Sequence, residues 1–270
     1  MCGRYELHKH PAAMALAFGI PIPPEIVPHY NIAPSQVRPV ARLAKDGSRE
    51  LAAMRWGLMP HWAKDKSIGY KTINARAETV ATAPAYRDAF KRHRCLIPAT
   101  GFYEWQKIAG GKQPFHIGMI DGAPLAFAGL WSSWKDPEGE WIETYTVVTT
   151  TPNELAAKVH NHMPVILAAE DYARWLDVAQ PNAAELLRPY PADEMKAYPV
   201  STRVNTPKND DARLLERIDI EIRSLARPQA STRTNQTNIA SRPNSTTPVR
   251  LSQRAGLMKR LAAYRDSALA

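Results

Sequence analysis

The chain has 270 residues, 44% of them hydrophobic, which is enough for one large domain with a sizeable buried core. No stretch approaches the ~18 consecutive apolar residues of a membrane-spanning helix, and we expect no secretory signal, because the first residues lack an apolar region. Two cysteines, Cys2 and Cys95, are too few for a disulfide framework and are typical of a reducing compartment, so we expect a cytoplasmic protein.

The net charge of +9 is unevenly distributed. Residues 223–270 contain nine Lys or Arg residues and a single acid, a net charge of +8, which leaves +1 for residues 1–222. From about residue 227 the composition changes to Ser, Thr, Asn, Arg and Pro with few apolar residues, which is typical of disorder. We therefore predict a folded domain over 2–222 and a disordered basic tail over 223–270, in which 250–264 have the pattern of a basic amphipathic helix.

In chain order, the first predicted element is a short helix over 11–18, followed by a Pro-rich stretch over 21–28. Strands over 37–43 and 51–58 flank the turn Lys45-Asp46-Gly47-Ser48, which indicates a hairpin. The remaining predicted elements are a helix over 85–94, strands over 96–106, 114–120, 124–131 and 141–150, a helix over 152–159 after the capping-box pattern Thr151-Pro152-Asn153-Glu154, a strand over 163–168, and helices near 170–177 and 183–188. Successive hairpins with scattered short helices indicate an α+β fold on a curved antiparallel sheet.

The first five residues, Met1-Cys2-Gly3-Arg4-Tyr5, carry the strongest chemical signal. The side chain of Cys2 is small enough for the initiator Met to be removed, which would give an N-terminal cysteine. Its α-amine has a reference pKa of roughly 7.7–8.0, against about 10.4 for lysine, so a useful fraction is neutral at pH 7. Such an amine can form an imine with an aldehyde, and the adjacent thiol can close onto it as a thiazolidine. Taken alone, Cys2 is better explained as a chance residue on a frayed terminus.

Six motifs in a defined order remove that ambiguity. They are MCGRY at the start, YNIAPSQ over 30–36, RWGLMPHWAKD over 55–65, INARAET over 73–79, GFYEWQK over 101–107 and VHNHMPVIL over 159–167. From Cys2 to about Lys208 this order resembles the SRAP family, the SOS-response-associated peptidase-like proteins that crosslink to abasic sites in single-stranded DNA. The resemblance implies a barrel-like sheet core with flanking helices.

The resemblance implies four catalytic positions, at Cys2, Asn74, Glu104 and His160. Asn74 would hydrogen-bond the crosslinked sugar or the Cys2 backbone, although an ordinary turn asparagine fits the pattern as well. Glu104 shares a strand face with Phe102, and a partly desolvated carboxyl has a raised pKa that suits proton transfer. The alternative, which the residues favour without the family pattern, is a surface glutamate in a cross-strand pair with Lys107 or Lys112.

Histidine titrates near neutrality, so His160 can protonate the sugar oxygen as the ring opens. The resemblance implies that it also assists crosslink reversal and lyase chemistry. The alternatives are a helix-end histidine or, together with His162, a metal ligand. No CxxC or HExxH motif accompanies these histidines, so we expect no metal and no cofactor.

The resemblance also implies a DNA-binding surface. Arg4 and Arg76 would bind phosphate, which suits the planar guanidinium, and Pro34 and Trp62 would form a wedge that replaces base stacking. A core tryptophan is the alternative for Trp62. Further DNA contacts are implied at Trp105, Thr149 and His162.

Two positions depart from the family pattern. His162 stands where a basic residue such as arginine is common, which makes a phosphate contact weaker or pH-dependent. Asn161 stands where aspartate is common, which lessens the orientation of His160. Neither change removes a catalytic group.

The leading hypothesis is an abasic-site sensor that forms a thiazolidine crosslink and shields the lesion. The resemblance further implies lyase chemistry and autocatalytic exposure of Cys2. The alternatives are an N-terminal-nucleophile cysteine hydrolase and a non-catalytic single-strand binder that uses the basic tail. The expected partners are single-stranded DNA with abasic sites and the replication machinery, and the expected state is a monomer that does not associate with membranes.

Overall fold

The structure is a computed structural model that describes residues 2–20 and 27–219. The predicted tail over 223–270, its helix over 250–264 and most of the Pro-rich stretch lie outside the described residues. Within them the strands are β1 (Tyr5–Leu7), β2 (His29–Ile32), β3 (Val37–Leu43), β4 (Arg49–Trp56), β5 (Asn74–Arg76), β6 (Arg94–Ala99), β7 (Gly101–Ile108), β8 (Gly111–Met119), β9 (Leu125–Lys135), β10 (Trp141–Thr150), β11 (Met163–Pro164), β12 (Ile166–Leu167) and β13 (Met195–Pro199).

The larger sheet closes into a five-stranded barrel. Strands β10, β4, β3, β6 and β9 are neighbours in that order, and β9 pairs in turn with β10. Strands β5 and β11 add to β10, and β12 adds to β9. The predicted barrel-like α+β fold is confirmed, with one addition. Strand β10 runs parallel to β4 and to β5, so the sheet is mixed rather than purely antiparallel.

Aromatic rings fill the core where β1 meets the barrel. Tyr5 packs edge-on against Trp56 and Phe127, with ring centroids 5.2 and 5.8 Å apart. Its hydroxyl lies 2.7 Å from that of Tyr145. All four side chains are fully or almost fully buried, and buried aromatic rings of this size contribute much of the packing energy of a core. Tyr5 therefore anchors the beginning of the chain, only three residues after Cys2.

The smaller sheet carries β7 next to that anchored segment. Its strand order is β13-β8-β7-β1-β2, and every pairing is antiparallel. Tyr5 of β1 faces Phe102 of β7. The first residues of the chain and the GFYEWQK motif are consequently neighbours in space.

The single strand predicted over 96–106 is wrong. The chain leaves the barrel as β6 and enters the smaller sheet as β7, with Thr100 at the corner. Thr100 bonds β1 there, since its N–H donates to the Glu6 carbonyl at 2.8 Å and its Oγ1 accepts from the His8 N–H at 3.2 Å. A Cβ on the next residue, Gly101, would lie 2.5 Å from His116 Nε2, so only glycine fits this corner.

The helix predicted over 152–159 is reduced to a 3₁₀ turn at Ala156–Lys158. Asn153, not Thr151, caps it, because Asn153 Oδ1 accepts from the Ala156 N–H at 2.8 Å. Similarly, the strand predicted over 163–168 divides into β11 and β12, which pair with different barrel strands.

The other helices follow the prediction in place but are short. They are α1 (Pro11–Phe18), α2 (Arg87–Arg92) and α3 (Tyr172–Leu176), with further 3₁₀ turns at Lys66–Tyr70, Ala169–Asp171, Ala183–Leu186, Ala192–Glu194, Thr202–Asn205 and Ala212–Leu215. The predicted bounds of α1 and β3 are matched residue for residue. Among the described residues, the helices are all too short or too polar to span a bilayer.

Candidate active site

Cys2 is held by Asn74. The Asn74 Nδ2 donates to the Cys2 carbonyl oxygen at 2.8 Å, and Cys2 is completely buried. Asn74 begins β5, where its position is set by pairing with Val147 of β10 and by a hydrogen bond from Tyr86 to its backbone carbonyl at 2.9 Å. Its Oδ1 is buried and has no hydrogen-bond partner among the described residues. The side chain of Asn74 therefore fixes residue 2 and keeps one polar atom available.

Glu104 is buried beside Cys2. It is 3% exposed on β7, so the alternative of a surface glutamate is wrong. Burial raises the pKa of Glu104 to about 7, against the lowering effects of the chain's terminal amine and of Lys112. Burial, and secondarily the nearby Glu104, also raise the pKa of the Cys2 thiol well above its ordinary value, so the thiol is protonated at neutral pH.

His160 lines the same groove as Glu104. It follows the Ala156–Lys158 turn and is half-buried. Its Nδ1 lies 3.2 Å from both the backbone nitrogen and the carbonyl oxygen of His162, which ties the ring to that segment. Burial lowers the pKa of His160, and the positive charge of the terminus lowers it further, so the ring is neutral at pH 7. A neutral ring beside a half-protonated carboxyl can exchange protons with a bound substrate.

Glu104 and His160 line one groove of about 940 Å³. Gln106 joins its two walls, since its Nε2 donates to the Lys158 carbonyl at 2.8 Å. The remaining lining residues are Trp105, Lys107, Lys112, Pro152, Ala157, Val159 and Asn161. The sequence reasoning missed Lys158 and considered Lys107 and Lys112 only as ion-pair partners of Glu104, because the approach of the turn to the hairpin has no local signature.

Two predicted DNA contacts lie on the surface. Arg76, at the end of β5, is exposed and close enough to His162 to lower its pKa, after the larger effect of burial. Trp62 is 49% exposed, so the core alternative is wrong. Its loop is attached to the barrel by a hydrogen bond from Trp134 Nε1 to the Ala63 carbonyl at 2.7 Å.

Arg4 and Trp105 instead join the smaller sheet to the Thr202–Asn205 turn. Arg4 Nη1 donates to Asn31 Oδ1 at 2.8 Å and to the Val204 carbonyl at 2.7 Å, so this nitrogen is occupied by the protein. Trp105 Nε1 donates to Asn205 Oδ1 at 2.8 Å. The Arg4 guanidinium lies 5.9 Å from the Trp105 ring centroid.

Two further predicted contacts are less accessible. Thr149 is completely buried, and its Oγ1 donates to the Ala75 carbonyl at 3.4 Å. Pro34 is half-buried and precedes Ser35, whose φ of 73° forms a sharp turn at the end of β2. Within the described residues no three His, Cys, Asp or Glu side chains lie close enough together to hold a metal ion.

Comparison with known proteins identifies the family of the chain. The SOS response associated peptidase (SRAP) family matches residues 1–207. The abasic site processing protein YoqW of Bacillus subtilis (strain 168) is 44% identical over 224 residues, which cover 80% of this chain and 99% of that protein. The abasic site processing protein HMCES of Gallus gallus is 32% identical over 240 residues, 76% of this chain and 71% of that protein. A crystal structure of a protein from Bacteroides thetaiotaomicron has a TM-score of 0.71 at 26% identity and covers 80% of this chain and 100% of that one. The chain therefore belongs to the SRAP family, as its motif order predicts.

Proposed function

We propose that this protein processes abasic sites in single-stranded DNA by forming a thiazolidine crosslink through Cys2. Its relatives are named abasic site processing proteins, which supports abasic-site processing as the general function. One observation carries the finer proposal. The Cys2 carbonyl is held at 2.8 Å by Asn74, close to a buried carboxyl whose pKa is about 7.

The chemistry begins with removal of Met1, which converts the amide nitrogen of Cys2 into an α-amine. Ring opening of the abasic deoxyribose breaks the C1′–O4′ bond, moves the proton of the C1′ hydroxyl away and delivers a proton to O4′. The α-amine then attacks the C1′ aldehyde, and the carbinolamine loses one water to form an imine. Addition of the thiol to the imine carbon, with transfer of its proton to nitrogen, closes the thiazolidine ring.

Glu104 suits the proton transfers of these steps. With a pKa of about 7 it is a proton donor for loss of water and a proton acceptor for the thiol in the same pH range. His160, neutral at pH 7 and on the other wall of the groove, moves the proton at O4′ during ring opening and again during reversal. Asn74 orients residue 2, and its unpartnered Oδ1 accepts a hydrogen bond from the sugar.

A DNA strand held at the site also needs contacts beside the lesion. Arg76 supplies an exposed cation for a flanking phosphate, and Trp62 supplies an exposed ring for stacking, a contact worth ~1–3 kcal/mol per base. Single-stranded DNA fits this arrangement because an unpaired lesion reaches a groove without the cost of opening a duplex.

The test is a denaturing gel of the purified full chain with abasic oligonucleotides, single- and double-stranded. We expect a denaturant-stable adduct with the single strand, complete loss of it in Cys2→Ala, and the same loss when an added residue keeps the Cys2 nitrogen as an amide. Cys95→Ala, which removes the other buried thiol, is the matched control and should still crosslink.

The outcomes separate the alternatives. Normal crosslinking by Cys2→Ala or by the blocked chain would refute the proposal, since a lysine or another thiol would then be the nucleophile. Amide hydrolysis that depends on Cys2, without any adduct, would favour the hydrolase, and DNA binding without either reaction would favour the non-catalytic binder.

A further inference from the structure

Three lysines line the groove that contains Glu104 and His160. Lys107 and Lys112 face each other across the β7–β8 hairpin, and Lys158 lies in the 3₁₀ turn on the other wall. All three are exposed. The hydrogen bond from Gln106 to the Lys158 carbonyl holds the hairpin and the turn together, so the backbone positions that carry the lysines stay close.

This arrangement is unfavourable for the protein alone. Like charges directly opposite each other on an antiparallel pair are destabilising, and within the described part of the chain none of the three lysines forms an ion pair. The one acid among the lining residues is Glu104, which is buried and only partly ionised at pH 7. A concave surface with cations of one sign concentrates anions.

The lysines and Arg76 lie near different histidines. His160 is within electrostatic reach of Lys112 and Lys107, whereas His162 is within reach of Arg76. The two histidine rings are 6.3 Å apart. The lysines and Arg76 therefore form two separate basic groups around this pair of histidines.

We infer that the lysine groove binds the phosphodiester backbone of the DNA strand on one side of the lesion, while Arg76 holds the other side. The lining of the groove favours a single strand over an acidic peptide, because Trp105 adds an aromatic face next to the cations. Cations interleaved with an aromatic ring are typical of single-strand binding, where bases stack while the backbone is neutralised. The hydrogen bond of Trp105 to Asn205 fixes that ring in place. The inference rests on the proposed function for the position of the lesion.

The experiment measures equilibrium binding of the full chain to oligonucleotides with a tetrahydrofuran in place of the abasic sugar, which has no aldehyde and cannot crosslink. Two oligonucleotides are compared, with single-stranded DNA extending only to the 5′ or only to the 3′ side of the tetrahydrofuran. The triple variant Lys107→Gln, Lys112→Gln, Lys158→Gln is set against a control with the same charge change, Lys45→Gln, Lys91→Gln, Lys196→Gln, at three exposed lysines outside the groove.

We expect the groove variant to reduce the slope of log K against log[salt] by up to about 2 on one oligonucleotide, at ~0.7 for each phosphate that is no longer neutralised, and to leave the other nearly unchanged. The control should reduce neither slope by more than a fraction of that. An unchanged slope on both oligonucleotides, or an equal reduction by the control, would overturn the inference and leave the groove to another anion. Equal reductions on both oligonucleotides would overturn the one-sided placement.

Failure of the proposed function is a different result. A wild-type chain that gives no adduct on the denaturing gel refutes the crosslink, yet a one-sided reduction of the salt slope would still place the strand in this groove.

Discussion

Two buried glutamates on adjacent strands of the smaller sheet have opposite properties. Glu6 of β1 is 1% exposed, and Glu104 of β7 is 3% exposed. Although burial raises the pKa of Glu6, a hydrogen bond from His116 at 2.9 Å and an ion pair with His8 at 3.0 Å outweigh it, so the pKa lies below the ordinary value. The pKa of Glu104 is instead raised to about 7.

The difference lies in what surrounds each carboxyl. Glu6 is surrounded by partners that stabilise its charge, and these partners also fill the corner at Gly101, where a Cβ would lie 2.8 Å from Glu6 Oε1. Glu104 lines a groove and has a pKa of about 7, which suits proton exchange near neutral pH. Burial alone therefore does not set the direction of a carboxyl's pKa shift, and a carboxyl with a raised pKa that lines a groove is a candidate for proton transfer.

The largest expected effect is on the rate of crosslinking. Glu104→Gln keeps the shape of the side chain but cannot transfer a proton, so adduct formation should slow by about 10²–10⁴, the usual contribution of an acid–base group. Glu6→Gln, the matched control at an equally buried position, should crosslink at near the wild-type rate. Single-turnover gels at pH 7 measure both. Equal rates for the two variants would remove the functional distinction between the two glutamates.

The same pair should differ in the pH dependence of stability. The folded-state pKa of Glu104 lies above its reference value of 4.5, so its ionisation costs stability as pH rises from about 4.5 to 7. Glu104→Gln should therefore be more stable than wild type at pH 8, by up to ~3 kcal/mol, and the gain should shrink towards pH 5. Urea unfolding at both pH values measures the difference.

Glu6 should behave in the opposite sense. Because its folded-state pKa is lowered, its stabilising contribution is present above its unfolded pKa and is lost as pH falls through the folded value. Glu6→Gln should therefore be less stable than wild type at pH 8, and the loss should diminish in acid. A Glu104→Gln chain that is less stable than wild type at pH 8 would contradict the raised pKa.

A smaller effect is expected at the second wall of the groove. His160→Ala should slow ring opening and release of the crosslink, each by a factor at the low end of the ~10²–10⁴ range. Its effect on release should be larger than that of Glu104→Gln. The control is His10→Asn, which replaces an exposed histidine that caps α1 with another good capping residue. Release is measured by incubating preformed adduct with an excess of competitor abasic DNA and recording on a denaturing gel how fast the protein becomes crosslinked to the competitor. Unchanged formation and release in His160→Ala would make this histidine structural.

The smallest effect concerns one phosphate. Arg76→Gln should reduce the slope of log K against log[salt] for single-stranded DNA by ~0.7, the value for one contact on a single strand. Arg87→Gln, at an arginine whose side chain is 57% exposed on α2, is the matched control and should change the slope much less. An identical change in both would mean that Arg76 acts only through net charge.

The sequence by itself determined the features that depend on local pattern or on residue identity. The aminothiol of Cys2, the motif order that resembles the SRAP family, the helix over 11–18 and the hairpin beginning at 37–43 could all be predicted, since capping residues, turn formers and alternating hydrophobicity act over a few residues. The other candidate catalytic positions, Asn74, Glu104 and His160, came from the resemblance and not from residue chemistry alone.

Only the tertiary structure decided the features that depend on distant pairing. Whether Glu104 is solvated or buried depends on β1 and on the groove wall more than fifty residues away, at His160. The corner at Thr100, the parallel pairing of β10 with β4 and the approach of Lys158 to the β7–β8 hairpin likewise bring together segments with no shared local pattern. A pKa, a groove and a charge cluster are properties of neighbours in space, and periodicity along the chain specifies neighbours only within an element.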